Sequence, residues 1–406
     1  MRKIELDTIL GRIIDSCDGI SDLIFSVGRP FQVEAQGVLR PVRIVPEIAA
    51  LSAYQIEKMV ICLIGEDRRL LHELVTTGSC DSGYGLSDHI RFRVNIFRQR
   101  GNWAIVMRRL QTEMPTLASL SLPSIFEDVV EQRNGLVLVT GATGSGKTTT
   151  LAAVLNELNL TQAVHVVTLE DPIEFVHRHK KATFNQRELG NDFDTYPNGL
   201  RAALRQAPKV IFVGEMRDRE TVEIALSAAE TGHLVLSTIH TIDAGQAIGR
   251  ILGMFPRNAE PQLRVRLAET LRYVISQRLA PRVGGGRALV MEIMGSNLRT
   301  REAIALGEEE HRTFYDIIAD SASFGWQTFD QSITRAYESG VIAEETALLY
   351  ATRTGVVQRN IDQLKKQRGL DVEMSTGLRL DDPGAAPASS SPTPSLAPKK
   401  RGFFGR

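Results

Sequence analysis

Cysteine is scarce: Cys17, Cys62 and Cys80 are the three in 406 residues, and they stand far apart. No CxxC pair or Cys/His ligand spacing is present, which argues against a disulfide framework or a structural zinc and fits a reducing cytoplasm. An excess of charge is missing too. The chain carries 48 Lys and Arg against 48 Asp and Glu, so bulk positive charge is not how it would hold nucleic acid or anionic lipid, and only local patches remain. No apolar run approaches the roughly 18 residues that span a bilayer. The opening Met1-Arg2-Lys3-Ile4-Glu5-Leu6-Asp7 lacks the apolar core of a signal peptide. What is present is ordinary: 43% apolar and 24% charged residues describe a soluble globular protein. At about 150 residues per domain, the length predicts two or three domains.

The order of patterns divides the chain. Leu6, Ile9, Leu10, Ile13, Ile14 and Cys17 recur at three- and four-residue steps, predicting an amphipathic helix stopped near Gly19. Apolar runs at Leu23-Ile24-Phe25 and Val38-Leu39, broken by Gly28, Pro30 and Gly37, read as hairpin strands. Residues 52–75 again read as helix. Between Asp81 and Leu110 the period becomes two. Phe92, Val94 and Ile96 alternate there with Arg91, Arg93 and Asn95, predicting a half-buried strand with an arginine-bearing face. Residues 1–112 are therefore expected to form a small α+β domain, followed by a linker bracketed by Pro115 and Pro123.

Beyond the linker the texture changes. Leu136-Val137-Leu138-Val139, Val164 to Leu169, Val210-Ile211-Phe212-Val213 and Leu234-Val235-Leu236 are continuous apolar runs separated by helical stretches. That is the pattern of an α/β domain with a parallel sheet and crossover helices. The chain from about 290 reads as mostly helical, and the second domain is placed at 113–366. Residues 367–406 turn rich in Pro, Ser and Ala, cannot bury enough apolar surface to offset ordering entropy, and are expected to be disordered. The tip, Lys399-Lys400-Arg401-Gly402-Phe403-Phe404-Gly405-Arg406, reads equally as a docking peptide, a membrane-surface contact or a solubilising end.

Gly141-Ala142-Thr143-Gly144-Ser145-Gly146-Lys147-Thr148 matches GxxxxGK[ST] in full, with Thr149 continuing into a helix. Glycines let such a loop curl so that successive N–H groups face phosphate oxygens, and the following helix adds its positive end. Lys147 is expected on the β- and γ-phosphates and the Thr148 hydroxyl on Mg²⁺. Val210 to Val213 runs into Gly214-Glu215, a Walker B pattern with Gly where Asp is usual; Glu215 is expected to hold Mg²⁺ through water or to take a proton from the attacking water. Two further features are open on residue types alone. Glu170-Asp171-Pro172-Ile173-Glu174 reads either as an acidic metal-site loop or as an ordinary charged loop. His233 and His240 read either as phosphate sensors or as structural histidines.

Walker A, acidic box, Gly-Glu Walker B and paired histidines, in this order, resemble the type II/IV secretion ATPase superfamily, and more narrowly the twitching-motility retraction ATPases of type IV pili, of the PilT and PilU type. Leu169 to Phe175, Val213-Gly214-Glu215-Met216-Arg217-Asp218, Ala229-Glu230-Thr231-Gly232-His233-Leu234 and Arg91-Phe92-Arg93-Val94-Asn95 all look like that family. The resemblance implies a RecA-like P-loop ATPase core with a smaller PAS-like α+β domain at the N-terminus, and a homo-hexameric ring that rotates its domains as ATP turns over. It implies that Glu170, Glu174, His233 and His240 are site residues, and that Arg91, Arg93 and Arg108 neutralise phosphate charge.

Two departures stand out. Pro208-Lys209 replaces the family's Pro-Asp, and Leu298 to Glu308 keeps little of the retraction-associated Ala-Ile-Arg-Asn-Leu-Ile-Arg-Glu segment. Leu204-Arg205-Gln206-Ala207-Pro208 and Gln327-Thr328-Phe329-Asp330-Gln331 look closer to the PilU branch. The expectation is an ATP- and Mg²⁺-dependent retraction motor, sole or accessory to a paralogous ATPase. It would act on an inner-membrane platform protein from the cytoplasmic face, without nucleic acid and without a transmembrane segment. The alternatives are a nucleotide-binding regulatory ring subunit with little turnover, or an assembly or secretion ATPase.

Overall fold

The structure, a computed structural model, describes residues 1–35, 37–45, 48–87, 90–110, 113–310 and 312–368. Met1–Ile361 form one compact unit, and of the second, Asp362–Arg406, only the end of the last helix is described. The expected tail lies outside the described residues, except that Gln367 still closes a helix.

At the N-terminus come α1 (Lys3–Ile14), β1 (Ile20–Ser26), β2 (Gln32–Ala35), β3 (Val38–Pro41), α2 (Ala53–Ile64), α3 (Arg68–Thr77), β4 (Ser79–Ser87), β5 (Ile90–Gln99) and β6 (Asn102–Arg109). The strands pair antiparallel in the order β3-β2-β1-β6-β5-β4. The alternation along β5 has the physical consequence read from it: Phe92, Val94 and Ile96 are buried and Arg93 is exposed. The helix expected over 52–75 is two helices. Gly65 turns the chain with φ of 57°, and the Asp67 carboxylate then caps α3 by accepting from the N–H groups of Arg69 and Leu70.

The second part runs α4 (Ile125–Val130), β7 (Gly135–Thr140), α5 (Lys147–Thr161), β8 (His165–Glu170), β9 (Thr183–Glu188), α6 (Tyr196–Ala203), β10 (Val210–Val213), α7 (Arg219–Glu230), β11 (Leu234–Ile239), α8 (Ala244–Leu252) and α9 (Glu260–Thr270). It continues with β12 (Leu271–Pro281), β13 (Arg287–Gly295), α10 (Leu298–Leu306), α11 (Phe314–Ala319), α12 (Phe329–Glu338), α13 (Glu344–Tyr350) and α14 (Thr354–Gln367). One sheet orders these strands β13-β12-β7-β11-β10-β8-β9, parallel except for β13. Every residue of β7, β10 and β11 is buried, which is why each reads as an unbroken apolar run.

The α/β class, with a RecA-like P-loop core and a PAS-like α+β part, is what the structure has. It corrects the helical reading from about 290: β13 extends to Gly295 as an edge strand paired with β12. Phe184 is the one apolar residue of β9, and Arg272 and Ser276-Gln277-Arg278 break β12, so no long run announces either; β13 does hold an apolar run, Ala288-Leu289-Val290-Met291, which the helical reading passed over. The sheet order brings the motif-bearing loops together. β11 stands between β7 and β10, so the segments leaving all three emerge side by side at the carboxyl edge.

Candidate nucleotide site

β7 ends at Thr140, and the chain turns through Gly141–Gly146 into α5, which begins at Lys147. Gly144 and Gly146 take φ of 78° and 91°, a left-handed conformation that a residue with a Cβ rarely adopts. A Cβ on Gly141 would lie 2.5 Å from Ser145 Oγ. That hydroxyl is buried without a hydrogen-bond partner among the described residues, and it faces into the loop's concavity. Lys147 is buried and its Nζ donates to the carbonyls of Gly141 and Ala142, both at 3.0 Å. Burial lowers its pKa below the ordinary lysine value, against the pull of the Glu215 and Glu174 carboxylates.

The acidic box follows β8. Burial raises the Glu174 pKa above the usual carboxylate range, while a hydrogen bond from the Thr148 hydroxyl and the charges of Arg93 and Lys147 oppose it. Thr148, Lys147 and Glu174 are thus neighbours across the loop. Glu215 leaves the end of β10. Its Oε1 lies 2.6 Å from Arg217 Nη2 and its Oε2 3.4 Å from His240 Nε2. The corner beneath it is pinned from both neighbouring strands. Gly214 N–H donates to Leu169 O at 2.8 Å, and the Thr238 hydroxyl donates to Gly214 O at 2.7 Å. A cavity of about 530 Å³ opens beside the loop, lined by Ser145, Gly146, Thr149, Leu279 and Met291 among others. A concave amide loop, a buried cation and two carboxylates suit a polyphosphate with a bound hard cation.

Comparison with known proteins agrees with this geometry. The model of the type II/IV secretion system protein family matches residues 85–366. The chain belongs to this family. The PilT type IV pilus retraction ATPase of Pseudomonas aeruginosa is 39% identical over 81% of this chain and 93% of its own length. The PilU type IV pilus ATPase of the same organism is 36% identical over 86% of this chain and 88% of its own. Among solved structures, the pilus retraction motor PilT with bound ADP superposes with a TM-score of 0.76, at 38% identity, covering 87% of this chain and 99% of that one.

Other expected residues of this family member fall elsewhere. Glu170 is 4% exposed and points inward, accepting from the Thr168 hydroxyl at 2.6 Å and from Gln186 Nε2 at 3.0 Å. Burial pushes its pKa up to about 7, and its carboxylate is held by side chains of β8 and β9. His233 precedes β11, whereas His240 follows it, so about 20 Å of strand separates them. Within this chain His233 is therefore at the opposite sheet edge, its Nδ1 3.0 Å from Ala228 O. Arg93 lies in electrostatic reach of Asp171 and Glu174. Arg108, its cross-strand neighbour, instead donates from Nε to Asp22 Oδ1 at 2.9 Å. Arg91 pairs with the buried carboxylate of Glu188 at 3.1 Å.

Lys209 is exposed at the start of β10, the end away from Glu215, so the change from Asp leaves the site intact. Three contributors were not singled out from sequence. Arg217 follows Glu215 by two residues in the quoted motif. Gln186 and Glu188 alternate along β9, and that period-two pattern was the signal available for both.

Proposed function

We propose that this chain is a hexameric, Mg²⁺-dependent ATPase that drives retraction of type IV pili from the cytoplasmic face of the inner membrane. The convergence of Lys147, Thr148, Glu174, Glu215 and His240 at one sheet edge carries the reading, and the near full-length kinship with the PilT and PilU ATPases supplies its biological direction. The loop amides from Gly141 to Lys147 hold the β- and γ-phosphates, and the Lys147 ammonium adds a charge-assisted bond. Residues Gly141, Ala142, Thr143, Gly144, Ser145, Gly146 and Thr149 shape this cradle. The apolar wall of the adjoining cavity receives the nucleoside end.

Thr148 and Glu215 are hard oxygen donors of the kind Mg²⁺ takes, directly or through water. Held by these residues, Mg²⁺ would supply positive charge to offset what develops on the transferring phosphoryl group. Glu174, whose burial keeps its carboxyl more basic than usual, orients the attacking water and accepts its proton. His240, 3.4 Å from Glu215, reports whether the γ-phosphate is present. Arg93 offers positive charge from the N-terminal domain. Among the described residues no helix is long and apolar enough to cross a membrane. In this reading the ring docks on protein partners: the platform protein and, for an accessory motor, a paralogous ATPase.

Lys147→Ala and Glu215→Gln are expected to abolish phosphate release by the purified protein. Undiminished hydrolysis by either variant overturns the site. Deleting the gene is expected to leave cells hyperpiliated and unable to twitch. Bald cells would point to assembly instead, and normal piliation with weakened pulling to the accessory role.

A further inference from the structure

The Glu188 carboxylate closes β9 and is 4% exposed, deep between the six-stranded N-terminal sheet and the acidic-box loop. Its Oε2 accepts the backbone N–H of Ile173, the residue before Glu174, at 3.1 Å. The same oxygen receives Arg91 Nη2, from strand β5, at 3.1 Å. Its Oε1 accepts from Asn191 Nδ2 at 2.6 Å. The N-terminal sheet is cut away to admit it: a Cβ on Gly83 of β4 would stand 2.7 Å from Glu188 Oε1. On the other side of Glu174, Gln186 accepts the His177 N–H at 2.7 Å and donates to Phe175 O at 2.8 Å. Two side chains two residues apart on β9 therefore hold the backbone on both flanks of the expected water-activating carboxylate. Only one of them, Glu188, is also gripped by the N-terminal domain.

We infer that Glu188 is a positioning residue that couples the N-terminal domain to catalysis, Arg91 acting through it to place Glu174. This rests on the role given to Glu174 above. The Arg91 contact is a single N–H···O bond and not a bidentate fork, since Arg91 Nε is buried with no partner among the described residues. A one-point bond is released by a small displacement. Rotation of the N-terminal sheet that withdraws Arg91 leaves Glu188 a buried carboxylate without its counter-charge, which favours a different placement of that side chain and of the Ile173 amide it holds. A second contact also joins the N-terminal part to the turn after β9: Arg69 Nε donates to Gly190 O at 3.3 Å. Arg91 is thus assigned to the loop, and Arg93 is left as the phosphate-facing arginine.

Misplacing a catalytic group by about an ångström costs up to about a hundredfold in rate. Glu188→Gln keeps an oxygen for the Ile173 amide and loses the charge for Arg91; Arg91→Gln loses the other half. Measured on intact hexamers, each is expected to lower kcat for ATP about tenfold while the Kd for ADP stays within about twofold. The double variant should be no slower than either single one, and Arg91→Lys should recover most of the rate. Losses that multiply in the double variant, an unchanged kcat in Glu188→Gln, or a parallel loss of ADP affinity overturn the inference.

Should Glu188→Gln not fold, Gly83→Ala displaces the carboxylate with every charge retained. A matching fall in kcat supports the coupling, and full activity overturns it. Glu174→Gln separates the two levels. Full turnover by that variant defeats the role of Glu174 itself, whereas an inactive Glu174→Gln beside a fully active Glu188→Gln defeats only the coupling.

Discussion

Gly214, just before Glu215, stands where a side chain would be tightly packed. A Cβ would stand 3.0 Å from the Tyr196 hydroxyl and 3.2 Å from Leu169 O, which belongs to the neighbouring strand. Gly214→Ala should therefore cost about 1–3 kcal/mol of stability by overpacking, measurable by chemical denaturation. Tyr196→Phe in the same background should return part of it, because only the tyrosine hydroxyl, not the Leu169 carbonyl, is removed. Glu170 gives a pH signature. Its carboxyl is raised from the ordinary 4.5 to about 7 by burial. Between those pH values the unfolded chain ionises and the folded one does not, so stability present below pH 4.5 is lost as pH rises through about 7. Glu170→Gln keeps the acceptor for Thr168 and Gln186 and removes the titration. The melting temperature of the variant relative to the parent should then rise between pH 5 and pH 8. Glu292, also raised to about 7 by burial, keeps some of the decline in both.

At the scale of elements, residues in a functional motif separate into those that face the ligand and those that hold a helix. Asp218 belongs to the Val213 to Asp218 motif, yet its carboxylate caps α7, accepting the N–H of Thr221 at 2.9 Å and its hydroxyl at 2.8 Å. Asp218→Ala is expected to lower stability by about 1 kcal/mol with ADP affinity retained, read by denaturation and by nucleotide titration. The buried carboxylate of Glu292 does a similar service for the helix after His240, accepting the Ala244 N–H at 2.9 Å. These roles were not legible in the sequence. A motif match says that an acid is present, whereas whether it points at a phosphate or at a helix N-terminus depends on the turn beside it. The strands show the same division. β7, β10 and β11 were legible because burial on both faces demands apolar residues throughout. β12 was not, because Arg272, Ser276, Gln277 and Arg278 interrupt its run, and the apolar run of β13, Ala288-Leu289-Val290-Met291, is too short to tell a strand from a buried helix segment by pattern.

At the scale of the molecule, the site is built from both folded parts of the chain. Arg93 of the N-terminal sheet shares the field of Asp171 and Glu174, and Arg91 bonds to Glu188. A ring that works by moving one part against the other should show cooperative loss when poisoned. Doping the purified hexamer with Lys147→Ala subunits is expected to reduce hydrolysis more steeply than the fraction added. A strictly proportional loss would mean that subunits fire independently. The expected mass is that of six chains, and native mass spectrometry checks it.

The near-absence of cysteine and of net charge narrowed the chemistry without identifying it. By itself the sequence determined what local covalent order dictates. An eight-residue phosphate loop, a strand ending in Glu215, an acidic box and their spacing require no distant partner to be read. The tertiary structure alone decided which side chains meet. It placed His240 against Glu215 and His233 at the far edge, because a strand's two ends lie on opposite sides of a sheet. It buried Glu170 and tied Arg91 to Glu188 across about a hundred residues of chain, since burial and pairing depend on packing between segments that no local pattern connects.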